Sequence, residues 1–271
     1  MAVSLLHAYA HPENERRAVA VLREELDVPV SASHEVLAAF REYERTATTV
    51  ADVYVTPVVD DYLARLDDRA TDLGVPAPRV MQSNGGIADA ETVREHAVTT
   101  LFSGPAAGVV GASRFEREEH EGLVTFDMGG TSSDVSLVRD GTVERTTGAT
   151  VGGHPIAVPM VDVHTVGAGG GSIAWVDDGG ALRVGPESAG ADPGPGCYDR
   201  GGDEPTVTDA AVVLGYLGAD TTLGEGLELD AGRAEAVMED LADEAGLDTV
   251  IDAARPASSS SPSPRVVSAP R

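Results

Sequence analysis

Lysine is absent from this 271-residue chain: all 19 basic residues are arginine, and they face 45 Asp and Glu, giving a formal net charge of −26. No basic patch exists, which excludes nucleic acid or an anionic membrane as a partner. The acids are scattered rather than blocked, so they do not read as a tail for a cationic partner. Self-repulsion of this size opposes a compact fold in dilute buffer. Concentrated salt screens it, because the Debye length falls to about 3 Å at 1 M. The balance points to adaptation to a salt-rich cytoplasm. Cysteine is nearly absent too: Cys197 stands alone, which excludes a disulfide framework and a cysteine metal cluster. Aromatic residues make up only 4% against 42% hydrophobic, so Val, Leu, Ala and Ile must build the core. No apolar run approaches the ~20 residues needed to span a bilayer, and the N-terminus MAVSLLHAYA lacks the basic flank of a signal peptide. The sequence reads as cytoplasmic.

What is present is glycine (31) and proline (16), in a chain long enough for one large domain or two small ones. Residues Glu13 to Leu26 predict a helix introduced by Pro12, followed by a short strand, Val28 to Ser33. Apolar positions at Val50, Val53, Tyr54, Val58, Tyr62, Leu63 and Leu66 predict a long helix from about Glu42 to Leu73, kinked or divided at Pro57. From Pro78 the texture changes to short strands, glycine turns and short helices. Gly104 to Phe115 reads as a helix of small residues. Asp140-Gly141 and Gly179-Gly180 mark hairpins, and further helices are expected at about Thr208 to Leu217 and Asp230 to Ala245. The mixture is an α/β class. The closing stretch AARPASSSSPSPRVVSAPR has no periodicity and reads as disordered.

Chemistry concentrates in three places. In DMGGTSSDVSL an apolar strand delivers Asp127 to its end. Gly129 and Gly130 then let the backbone turn tightly, so that N–H groups and the hydroxyls of Thr131, Ser132 and Ser133 can face phosphate oxygens. A carboxylate beside phosphates suits Mg²⁺, and Asp134 is placed to orient water or a second metal contact. In VDVHTVGAGGGSIAW, Gly167, Gly169, Gly170 and Gly171 let the backbone lie against a flat or anionic ligand, with Ser172 adding a hydroxyl. The lysine of a Walker loop is missing, and no dinucleotide fingerprint is formed. Asp162 and His164 alternate ahead of this run and are expected on one face of a strand. That pair suits a divalent cation or proton transfer, and a purely structural histidine fits the pattern equally well. In GPESAGADPGPGCYDRGG, Glu187 and Asp192 sit in a long Gly/Pro loop, and Cys197 is read as a loop thiol without a catalytic partner. Ser103 and Gly104 read as a plain helix cap. His7, His11, His34, His96, His120 and His154 lack ligand spacing and receive no role.

Taken in order, the strings REYERTATTVADVYVTPVV, RVMQSNGG, FSGPAAGVVGA, VTFDMGGTSSDVSLV, VDVHTVGAGGGSIAWVD and RVGPESAGADPGPGCYDRGGDEPTVTDA resemble the hydantoinase A/5-oxoprolinase family. That family includes N-methylhydantoinase and acetone carboxylase subunits, and the likeness runs from about Leu5 to Leu247. The resemblance implies an actin-like ATPase fold of the sugar kinase/Hsp70 type, here incomplete, closing on Mg-ATP. It also implies ATP-dependent opening of a cyclic amide, with phosphorylation of the amide oxygen before C–N cleavage. The implied partners are a small cyclic-amide substrate and a hydantoinase B-type subunit. Position by position, Asp127, Gly129, Gly130, Thr131 and Asp134 match the family's second phosphate motif, with Asp127 and Asp134 as its catalytic carboxylates. Gly167 to Ser172 match its later nucleotide loop. Asp162 and His164 match its Asp-x-His, implying a metal or substrate role beside Asp127.

Two departures from the family pattern set further expectations. The chain begins after the family's first DxGGTxTD motif and ends before its C-terminal region, so it is expected to be truncated at both ends. Its expected layout is residues 1–77 as the remnant of an N-terminal lobe, 78–250 as the central ATPase lobe and 251–271 as a disordered tail. With half of the phosphate clamp missing, the polypeptide alone is expected to be inactive. The charge balance makes its own forecast: the thermal unfolding midpoint should rise steadily as KCl goes from dilute to molar. A midpoint that stays flat or falls would remove the case for salt adaptation.

Overall fold

The computed structural model describes residues 1–115, 122–218, 222–223 and 226–259. Helices and short strands alternate, and the backbone divides into two compact units. One comprises residues 1–125 and 136–163, the other 126–135 and 164–271. The division expected at 77/78 therefore falls inside the first unit. The reason is packing: the long helix that precedes residue 78 shares its core with the segments that follow it. Among the described residues, no helix is long and apolar enough to cross a membrane.

In the first unit, α1 (Glu13–Glu25) opens after Pro12, with Glu13 and Glu15 in its first turn. The strand expected over Val28 to Ser33 is reduced to Ser31–Ala32, pairing in parallel with Ala2–Val3. Helix α2 runs unbroken from Glu42 to Asp72, so Pro57 does not divide it. Buried side chains hold it on both sides of the proline: Arg45, Thr48, Thr49 and Asp52 before, Leu63 and Ala70 after. Those first four positions are polar, whereas Val50, Tyr54, Val58 and Tyr62 are exposed. The expected apolar packing face is thus only partly used. Helix α3 (Ser103–Ser113) packs Ala106 and Val109 against Val138, Val143 and Val161.

In the second unit, the site rests on β1 (Gly122–Met128), β2 (Ser133–Arg139) and β3 (His164–Val166), adjacent in the order β3-β2-β1. The unit boundary passes within β1 and β2. Beyond β2, Asp140 and Gly141 both take positive φ and set Arg139 opposite Thr142, the type I′ hairpin the dipeptide predicts. Strands β4 (Ser172–Val176) and β5 (Leu182–Ser188) form the second expected hairpin. Asp177 Oδ1 ties its turn by accepting from the N–H groups of Gly179 and Ala181. Three helices follow: α4 (Val207–Val213), α5 (Ala231–Ala245) and α6 (Val250–Ser259). Helix α5 starts where Asp230 accepts from Arg233 N–H and stops at Gly246 in the left-handed region. Helix α6 corrects the expected tail boundary. Ala253, Ala254 and Ala257 recur at helical spacing and are buried with Ala210, Met238 and Leu241, which gives the backbone from 250 to 259 a packing partner. The rest of the expected tail, 260–271, lies outside the described residues.

Glu15 is fully buried in the first unit. It accepts from Leu5 N–H at 2.7 Å, from Ser33 Oγ at 3.0 Å, from His34 N–H at 2.9 Å and meets His34 Nδ1 at 2.8 Å. His34 thus has a structural role that its sequence position concealed. Burial pushes the Glu15 carboxyl up, but the donors on Leu5, His34 and Ser33 together outweigh it and hold it below its ordinary value of 4.5. A depressed carboxyl stabilises the fold fully above that ordinary value and loses the contribution as pH falls through the lowered one. Glu15→Gln should therefore flatten the acid limb of stability against pH. Glu15→Ala, which strands several buried donors, should cost about 3 kcal/mol in denaturant unfolding.

Candidate functional site

The two glycine-rich runs meet inside the second unit, and backbone atoms make the contact. The turn 129–132 joins β1 to β2 and is closed by Gly129 N–H donating to Ser132 O at 2.8 Å. The run after β3 lies directly on it. Gly170 N–H donates to Gly129 O at 2.9 Å and Gly171 N–H to Gly130 O at 2.6 Å. Ser133 Oγ donates to Ala168 O at 2.6 Å from the other side. This closeness is why the run is glycine. A Cβ on Gly169 would stand 2.6 Å from Gly129 O and 2.7 Å from Ser132 N, and one on Gly170 would stand 2.5 Å from Thr208 Oγ1. Gly171 would meet Gly130 O and Ser188 Oγ at 3.0 Å. Gly167 has nothing within 4 Å.

The bonding separates scaffold from free donors. The N–H groups of Gly129, Gly169, Gly170, Gly171 and Ser172 all reach protein acceptors, Gly169 using Ser172 Oγ at 3.0 Å. By contrast, the N–H groups of Gly130, Thr131 and Ser132 find no acceptor among the described residues, and Gly130 and Thr131 are exposed. Consecutive free N–H groups at a tight turn make an anion-binding concavity. Asp127, near the end of β1, presents an exposed carboxylate with no hydrogen-bond partner among the described residues. Asp134 lies opposite Thr165 in the ladder and accepts from its hydroxyl at 2.7 Å through Oδ1, while Oδ2 has no partner among the described residues.

The strand expected to carry Asp162 and His164 is interrupted. Met160–Val161 pairs with Arg145–Thr146, β3 begins only at His164, and Asp162 lies between them. The backbone of Asp162 causes the break, since its N–H donates to Glu144 O at 2.9 Å and its carbonyl accepts from Ser136 Oγ at 2.6 Å. Both side chains are exposed. In the ladder His164 faces Val135 while Thr165 faces Asp134, so His164 and Asp134 project from opposite faces. Among the described residues, no three His, Cys, Asp or Glu side chains gather as a metal cage.

Cys197 is corrected from a loop thiol to a core residue. It lies in the 3-10 turn Gly196–Tyr198, fully buried beside Val212, Leu229 and Ala234. Burial, with the neighbouring Asp209 carboxylate, pushes its thiol far above the usual range, so it is no nucleophile. Glu187 and Asp192 are exposed. The residues that the sequence reading missed are Thr206, Thr208 and Asp209. Asp209, fully buried, accepts from Gly196 N–H, Cys197 N–H, Thr206 N–H and Thr206 Oγ1 at 2.7–3.2 Å. Thr208 N–H donates to Gly170 O at 2.8 Å, tying the start of α4 to the glycine run. The Thr-x-x-Asp spacing before an apolar run is a capping-box signal that would have exposed this pair.

The hydantoinase/oxoprolinase family model matches residues 45–260. The chain belongs to the hydantoinase/oxoprolinase family. It is 44% identical over 254 residues to caprolactamase subunit alpha of Pseudomonas jessenii, covering 91% of this chain and 36% of that one. It is 40% identical to the acetophenone carboxylase gamma subunit of Aromatoleum aromaticum, over 93% of this chain and 36% of the relative. The crystal structure of the ATP-dependent caprolactamase from Pseudomonas jessenii superposes with a TM-score of 0.73 at 43% identity, covering 94% of this chain and 38% of that one. The chain thus spans little more than a third of the length of these hydantoinase/oxoprolinase relatives.

The interlock makes a sharp contrast between neighbouring glycines. Gly169→Ala should lower unfolding stability by about 2 kcal/mol, because its Cβ drives into the 129–132 backbone. Gly167→Ala should leave stability within about 0.5 kcal/mol of the parent, as expected for an unobstructed surface change. Equal losses in paired chemical denaturations would refute the assigned packing.

Proposed function

We propose that the turn 129–132 receives phosphate oxygens of ATP in a piece of an ATP-dependent cyclic-amide hydrolase of the hydantoinase/5-oxoprolinase type. The observation that carries this reading is the turn's row of free N–H groups, Gly130 to Ser132, beside the unpartnered Asp127 carboxylate. It is supported by 44% identity to a caprolactamase subunit. The actin-like ATPase architecture and the cytoplasmic setting belong to the same proposal.

Each residue has a part. The N–H groups of Gly130, Thr131 and Ser132 and the Thr131 hydroxyl bind phosphate oxygens, with Gly167 bordering the open side of the glycine run. Gly129, Gly169, Gly170, Gly171 and Ser172 hold the turn in shape rather than touch the nucleotide. Asp127 would hold Mg²⁺, a hard cation that one carboxylate, water and phosphate oxygens suffice to bind, so no protein cage is required. Asp134 Oδ2 orients water, with Oδ1 fixed by Thr165. Asp162 and His164 receive no part in it, because His164 projects from the face opposite Asp134 and Asp162 belongs to the first unit. When bound, ATP supplies the phosphoryl group that makes an amide oxygen a good leaving group. A hydantoinase B-type subunit is the proposed partner, in keeping with relatives that are named as subunits.

The likeness to a carboxylase gamma subunit favours a second reading, in which the activated substrate is a ketone and its carboxylation follows. The two readings separate by whether a cyclic amide or a ketone stimulates ATP hydrolysis by the full-length protein with its partner. At the level of this chain, calorimetry in molar KCl should detect binding of MgATP. Thr131→Val should weaken it about tenfold, the loss of one charge-assisted hydrogen bond. Asp127→Ala should abolish the dependence on Mg²⁺, and an unchanged titration with Asp127→Ala would reject the phosphate-site assignment.

A further inference from the structure

Two of the peptide groups that carry the turn's free donors also serve the glycine run as acceptors. Gly130 N–H and Gly129 C=O belong to one peptide, and Gly129 O accepts from Gly170 N–H at 2.9 Å. The peptide of Gly170 N–H offers Gly169 O to Ser172 N–H at 3.0 Å. The peptide of Ser172 N–H offers Gly171 O to Ala189 N–H at 2.8 Å. A second series starts at Thr131 N–H. Its peptide carries Gly130 O, which accepts from Gly171 N–H at 2.6 Å, and the peptide of Gly171 N–H carries Gly170 O, which accepts from Thr208 N–H at 2.8 Å. In a trans peptide the C=O and the following N–H point in opposite directions, so both series run head to tail away from the open side of the turn. Ser132 N–H has no such backing, since Thr131 O on the same peptide accepts from nothing among the described residues.

We infer, on the reading of the turn as a phosphate site, that the two series form a relay: an anion on Gly130 and Thr131 N–H tightens the hold on Ala189 and Thr208, the last donors in line. A peptide that accepts a hydrogen bond at its oxygen becomes a better donor at its N–H, and the reverse holds. Such polarisation strengthens each bond by roughly 10–30%. Every bond of the two series lies at 2.6–3.0 Å, close enough to pass it on. Backbone atoms alone take part, so no rotamer has to change along the way. Ala189 opens the loop after β5, and Thr208 lies in the first turn of α4, whose start the buried Asp209 already fixes. An occupied turn therefore firms both places. Coupled equilibria are reciprocal, so a firm Thr208 also makes Thr131 a better phosphate donor. The relay ranks the three free donors as well: Gly130 and Thr131 hold phosphate oxygens more strongly than Ser132.

Amide NMR of the isotope-labelled chain in molar KCl reads the relay directly. Inorganic phosphate with Mg²⁺ is the first probe, because two peptides stand between an ion on the turn and Thr208, and three between it and Ala189. Saturating phosphate should move the amide protons of Thr208 and Ala189 downfield and slow their exchange about threefold, with Gly170 and Gly171 following. The amides of Gly179 and Ala181, held by the Asp177 carboxylate in the same unit, should stay in place. At the turn itself, Gly130 and Thr131 should move further than Ser132. MgATP should repeat the pattern. If either probe shifts the turn amides while Thr208 and Ala189 keep their shifts and exchange rates, the phosphate reading stands and the relay is overturned. A larger response at Ser132 than at Gly130 and Thr131 overturns it too. If neither probe shifts any amide of the turn, the phosphate reading itself falls and takes the relay with it.

Discussion

Two peptide groups, those ending in Gly170 and Gly171, hold the nucleotide-site candidate together. Each donates its N–H to the 129–132 turn, and the carbonyls of the same two glycines accept from Thr208 N–H and Ala189 N–H. The hairpin turn on one side and the loop and helix on the other therefore hang on one short run of backbone. Side chains could not do this, because the atoms approach too closely for any Cβ. Consequently most of the N–H groups in the glycine run are already used, and the hairpin turn keeps three donors to spare for an anion.

The same economy of donors governs buried charge. Glu15, Asp52 and Asp209 are fully buried carboxylates in a strongly acidic chain, and among the described residues no arginine pairs with any of them. Hydroxyls and backbone N–H groups serve them instead: Ser33 Oγ and the N–H groups of Leu5 and His34 for Glu15, which the His34 ring also meets. Ser31 Oγ and Val98 N–H serve Asp52, and Thr206 with the 196–197 backbone serves Asp209. Ion pairs such as Arg23–Glu35 and Arg183–Asp177 involve exposed or half-buried side chains, where they are worth little. A buried carboxylate ringed by oriented dipoles is electrically satisfied without a cation, so its contribution does not vanish when salt is concentrated.

The parts of the fold that could be read in the sequence were those written in local chemistry. Asp140-Gly141 dictated its turn, Asp230 and Gly246 bracketed α5, and the spacing around DMGG announced a strand that runs into a turn. Two kinds of feature escaped. Helix α2 has a clear apolar period, but its inner face is polar because Thr48 Oγ1 and Asp52 bond the backbone of distant segments, at Ala157 and Val98. Periodicity finds the stripe and cannot say which side faces inward. The roles of the glycines escaped as well. Contact with a ligand and contact with another backbone demand the same residue, and only the hydrogen bonds tell Gly130 from Gly170. Helix α6 hid in a Ser/Pro-rich tract because three alanines suffice to pack it.

The interlock also has a consequence for how such proteins change over time. Where two side chains touch, a loss on one side can be made good by a gain on the other, and related sequences record the exchange as paired substitutions. Gly169 touches the peptide atoms of Gly129, Gly130 and Ser132, which are the same whatever side chain those residues bear. No substitution across the contact can rescue a Cβ at 169. Each position is constrained alone, so these two interlocked segments should leave no trace of correlated variation between them.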